Sequence, residues 1–179
     1  MIATEHFRKF GRKDFFLIFM GIVIVSIFGF LGMLFTPLVG YVMVVFSFYF
    51  VVGLLYYLLQ KFGVAILMSL VSVVLMKTTE LGVLGGQKVL TFFLAAVVFD
   101  LVYLIFKFRY DVVLSSMISA LSLSLISSGL LSLKLLLEFS VGLVNLVLFT
   151  LLVAFVSSIW TLVFWSWLSR KKGMLKLRA

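Results

Sequence analysis

Between two long apolar runs, the stretch Lys77-Thr-Thr-Glu-Leu-Gly-Val-Leu-Gly-Gly-Gln-Lys88 gathers two lysines, an acid, an amide, two threonines and three glycines. Almost everywhere else the chain is a bilayer-length apolar run or a charged edge. Lys77 and Lys88 can hold a carboxylate or phosphate; Glu80 can hold an amine-bearing group, or be neutralised by either lysine. Gln87 donates and accepts at once, which suits an uncharged heterocycle, and Thr79 adds a hydroxyl. Gly82, Gly85 and Gly86 allow tight turns and close backbone approach, without the spacing of a Walker loop. A solvated loop of mixed charge accounts for the same residues. Asn145, in the last apolar run, is a further hydrogen-bonding candidate.

Asp100 is the other residue that needs an explanation, because it lies within Ala95-Ala-Val-Val-Phe-Asp-Leu-Val-Tyr103. A carboxylate inside a span is costly and often functional. Its place, two turns before Lys107, suits a structural partner such as Lys107, Lys61 or a hydroxyl; an ion or proton site remains open. Ser115, Ser116, Ser119, Ser122, Ser124, Ser127 and Ser128 crowd the next run. Small residues let helices approach closely in lipid, so packing explains them better than a polar pathway does. Enzyme signals are weak. The single histidine, His6, lies outside the spans, and neither a zinc-protease motif nor a nucleophile elbow is present.

The elements that must position these groups follow from composition. Of 179 residues, 65% are hydrophobic, and mean hydropathy is +1.35. A soluble domain is about 45–50% apolar, so the bilayer is the consistent solvent. The absence of cysteine excludes disulfides and thiolate metal sites. The expected fold is all-α: a polytopic membrane protein with six transmembrane helices. The spans run over 15–35, 38–59, 62–76, from 83 or 89 to 106, 112–133 and 139–168. Residues 38–76 as one helix would be roughly 58 Å long, against a core of about 30 Å. The chain must therefore turn at Gln60–Gly63. Residues 1–14 read as an amphipathic surface segment or a frayed basic tail, residues 15–169 as the membrane domain, and 170–179 as a basic tail. The run after the basic start is too long for a signal-peptide core. Trp160, Trp165 and Trp167 read as interfacial anchors.

Net charge is +9. Because the basic residues flank apolar runs, they point to membrane orientation rather than nucleic acid. With six spans, only Lys77, Lys88 and Lys134 of the 15 lysines and arginines fall opposite the termini. That bias places both termini in the cytoplasm of a multi-pass cell-membrane protein. The connections near 36–40, 77–88 and 134–138 then face outward.

This layout resembles the substrate-binding S component of energy-coupling-factor vitamin transporters. The resemblance covers nearly the whole chain and is carried by size, span number, cytoplasmic termini, a small-residue first span, and the run Gly85-Gly86-Gln-Lys-Val-Leu-Thr-Phe-Phe-Leu-Ala-Ala-Val-Val-Phe-Asp-Leu-Val-Tyr103. It implies a small solute bound near the outer surface, capped by the first, third and fifth connections. It also implies a transmembrane coupling subunit and cytoplasmic ATPases as partners, since the chain has no nucleotide-binding motif, and it implies no cofactor of its own. Many members dock through an Ala-x-x-x-Ala stripe on the first helix; here the nearest equivalent is Gly21, with Ser26, Gly29 and Gly32 beyond it, out of strict spacing. His6 on the cytoplasmic side argues against nickel or cobalt. With 21 phenylalanines and six tyrosines, a ring-containing vitamin or precursor could be stacked. Two other functions fit the composition: a small membrane enzyme acting on a lipid or prenyl substrate through Glu80 and Asp100, and a helical scaffold without ligand.

Overall fold

The computed structural model describes residues 9–35, 37–78, 88–105, 112–124 and 143–172. All regular structure among these residues is helical: α1 Arg12–Met33, α2 Pro37–Leu59, α3 Val64–Thr78, α4 Lys88–Ile105, α5 Val112–Ser124 and α6 Leu143–Lys172. Apolar residues run round every side of these helices. In lipid such a chain must satisfy its backbone internally, which selects helix. Three stretches are long and apolar enough to cross a bilayer: Arg12–Gly32, Val39–Leu59 and Val147–Ser169. Half of the α2 stretch is buried inside the protein, against 28% for α1 and 33% for α6, so α2 is the central helix.

Close approach to α2 depends on small residues. A Cβ on Gly32 would lie 2.9 Å from the Cα of Gly40, and one on Gly21 would lie 2.8 Å from Val51 Cγ1. These contacts set α1 antiparallel to α2. Pro37 takes the first position of α2, where its missing N–H is no loss. On the opposite side Gly53 admits Val112 of α5 and Thr161 of α6, each within about 3 Å of where its Cβ would be.

Hydroxyl groups tie the rest to α2. Tyr41 Oη meets Thr150 Oγ1 at 2.9 Å, Ser157 Oγ donates to the Phe46 carbonyl at 2.9 Å, and Thr161 Oγ1 donates to that of Phe50 at 3.3 Å. Residue numbers rise together along this seam, so α6 runs parallel to α2. Tyr49 Oη lies 3.0 Å from Ser119 Oγ, which lies 2.6 Å from the Ala95 carbonyl. Ser119 has one proton and gives it to the carbonyl, so Tyr49 is the donor to Ser119. One side-chain chain of bonds thus joins α2, α5 and α4. The ring pairs Phe48–Phe92 and Tyr56–Tyr103, 5.4 and 4.3 Å between centroids, set α4 parallel to α2. Helices α1, α3 and α5 therefore run one way and α2, α4 and α6 the other.

Several boundaries move from their expected places. Lys77 and Thr78 belong to the last turn of α3, and Lys88 opens α4. Arg12, Lys13 and Asp14 form the first turn of α1 rather than part of a separate surface segment, and α6 continues through Arg170–Lys172. The serine-rich run is used for packing: Ser115, Ser116, Ser119 and Ser124 are buried. Ser116, Ser122 and Ser124 donate back to carbonyls of their own helix.

Candidate functional site

The interior polar feature is the start of α3. At 15 residues, α3 is about 22 Å long, shorter than a bilayer core of about 30 Å. Val64, Ala65 and Met68 are fully buried, so the helix begins inside the protein. The chain reaches this depth through Gln60 at φ 51° and Gly63 at φ 89°, a left-handed backbone that favours glycine. Gly63 brings no side chain to cap the helix, yet first-turn N–H groups in a dry interior need acceptors. Asp100 supplies one from α4. Its Oδ2 accepts from the N–H of Ile66 at 3.1 Å, and the N–H of Ala65 also faces the carboxyl group. Asp100 is fully buried, and its Oδ1 has no partner among the described residues.

The carboxylate is thus a cap supplied by a neighbouring helix. The expected pairing with Lys61 is corrected: Lys61 Nζ pairs with Asp14 and donates to the Lys9 carbonyl at 3.0 Å. Asp14 also accepts from the Gly11 N–H at 2.6 Å. Asp14 lies in the first turn of α1, ahead of the apolar run that starts at Phe15. Lys107 and the hydroxyl-rich residues after Ser124 lie outside the described residues.

The residues expected to bind a solute divide in two. Thr79, Glu80 and Gln87 lie outside the described residues. Lys77, Lys88 and Asn145 are placed by their helices, Asn145 with its side chain exposed near the start of α6. Helix directions bring the end of α3, the start of α4 and the start of α6 to one end of the bundle, together with the α1–α2 connection. The Lys61–Asp14 pair lies at the opposite end. Among the described residues, no group of three or more His, Asp or Glu side chains converges as metal ligands do.

The expected docking stripe on α1 is also divided. Gly21 and Gly32 are buried against α2, which corrects the expectation that they face outward. Ser26 and Gly29 are partly exposed. Ser26 opens into a shallow groove of about 440 Å³ along α1, lined with Phe19, Val23, Ile27, Phe30 and Leu31. Two functional contacts were missed from sequence, the Asp100 cap and the Lys61–Asp14 pair. A glycine at a helix start, with no capping side chain before a buried first turn, was the available signal for the cap.

No family model matches the chain, and no curated protein or solved structure resembles it at a significant level.

Proposed function

We propose that the chain crosses the bilayer six times with both termini in the cytoplasm and serves as the solute-binding subunit of an uptake system. Its energy would come from separate ATPases acting through a transmembrane coupling partner. The observation that carries this proposal is a shared end: the positions of Lys77, Lys88 and Asn145, which come from three helices, lie at the same end of the bundle. The charge bias turns that end outward. A mouth bearing lysines and amides above an aromatic-rich interior suits a small, ring-containing solute with an acidic or amide group, such as a vitamin or its precursor. The membrane-enzyme alternative needs Asp100 as a free acid, whereas its Oδ2 is engaged at α3. Partner docking on α1 would use the Ser26 and Gly29 side, since Gly21 and Gly32 pack internally.

Native mass spectrometry of the purified protein tests this. A small molecule should co-purify at one per chain and be lost from Lys88→Ala or Asn145→Ala protein that remains folded. A protein that carries only lipid, and that takes no ring-containing solute from a metabolite mixture, overturns it.

A further inference from the structure

At the Lys61 end, the first turn of α1 carries an unusual distribution of charge. Lys9, Arg12 and Lys13 are exposed, and among the described residues none has an acidic partner. Asp14, the acid in their midst among the described residues, is held by Lys61 from the α2–α3 turn, so the pair is neutral as a unit. Gly11 at the N-cap has no side chain to place over the helix start, and the first-turn N–H groups add positive potential there. Directly beyond the cations, Phe15, Phe16 and Phe19 are 54%, 64% and 56% exposed. Cations at a helix start followed at once by exposed rings present an anion-binding edge continuous with an apolar wall.

We propose that this rim is a binding site for an acidic phospholipid. Lys9, Arg12 and Lys13 take the headgroup phosphate, and Phe15, Phe16 and Phe19 take the first part of the acyl chains. The continuity of the two surfaces selects a lipid over a free anion, which would have no use for the rings. Lys61 acts as a positioning residue. By neutralising Asp14 it removes the one carboxylate beside these cations, among the described residues, that would repel the phosphate. Its ammonium also stands 5.6 Å from the Phe10 ring centroid and bonds the Lys9 carbonyl, which fixes the segment that carries Lys9.

The test titrates delipidated protein with phosphatidylglycerol or phosphatidylcholine of the same acyl chains, read by native mass spectrometry, with inorganic phosphate as competitor. Phosphatidylglycerol should bind more tightly than phosphatidylcholine, less so as salt rises. The triple variant Lys9→Gln, Arg12→Gln, Lys13→Gln should lose on the order of a hundredfold in phosphatidylglycerol affinity, with phosphatidylcholine unchanged. Lys61→Met should lose on the order of tenfold, and adding Asp14→Asn to it should restore the affinity. The triple variant alters only exposed side chains; the single Lys13→Gln variant, with a proportionate loss, serves if the triple does not fold. Equal affinity for the two lipids, an unchanged triple variant, no rescue by Asp14→Asn, or full displacement of the lipid by inorganic phosphate would each overturn the proposal.

Discussion

Replacing Asp100 with alanine removes the acceptor at the start of α3. Two backbone donors, the N–H groups of Ala65 and Ile66, then face a dry interior without a partner. Each unsatisfied donor costs about 1–3 kcal/mol. Part of that is offset because the variant no longer buries a carboxylate with a partnerless Oδ1, a burdensome group in its own right. The net expectation is a loss of about 2–4 kcal/mol. Asparagine keeps an oxygen in place and caps helices about as well as aspartate, so Asp100→Asn should stay within about 1 kcal/mol of the parent. Unfolding in mixed micelles gives the free energies, and hydrogen exchange at Ala65 and Ile66 locates the damage. Alanine should speed exchange at those two amides; asparagine should not. An alanine variant as stable as the parent, with unchanged exchange at the start of α3, would refute the capping role. A well-folded asparagine variant that loses solute binding would place Asp100 in the binding site as well.

Three further outcomes are expected. Gly32→Ala should destabilise by about 1–3 kcal/mol, more than Gly21→Ala, because its new methyl meets the Gly40 backbone rather than the side chains of Val51 and Leu55; thermal unfolding of both variants in detergent checks the order. Ser119→Ala should cost about 1–3 kcal/mol by leaving the buried Tyr49 hydroxyl without its acceptor, whereas Tyr49→Phe should cost only about 0.6 kcal/mol, as equilibrium unfolding will show. Because Asp14 bonds both Lys61 Nζ and the Gly11 N–H, Asp14→Asn should lower the thermal midpoint in detergent by more than Lys13→Gln does, Lys13 having no acidic partner among the described residues.

Six helical apolar runs were legible because bilayer thickness limits how long one run can be; three of the described stretches, Arg12–Gly32, Val39–Leu59 and Val147–Ser169, are long enough to cross it. The turn at Gln60–Gly63 was legible for the same reason, since one helix could not absorb both runs. What was not legible was partner choice across long stretches of chain. Lys61 was a reasonable partner for Asp100 by depth, yet it pairs with Asp14, 47 residues away in sequence. Depth alone cannot separate two acids near the same end. Gly21 and Gly32 were read as part of a docking stripe for a partner, because small size signals close approach without saying whether the neighbour is another protein or the chain's own α2. For the solute site, the helices place Lys77, Lys88 and Asn145 at one end, while Thr79, Glu80 and Gln87 fall outside the described residues.

The Asp100 cap has a consequence for how the protein is made. The carboxylate follows Ile66 by 34 residues, so α3 is synthesised well before its acceptor. A helix of 15 residues is short for independent residence in a bilayer, and until Asp100 arrives its first amides have no partner from α4. Stable placement of α3 must therefore wait for α4, and the two settle as a pair after α2 is in place. Shortening the chain before Asp100 should leave α3 at the membrane surface or in the insertion machinery. The same residue that closes the interior of the finished protein thus sets the earliest moment at which α3 and α4 can settle against each other.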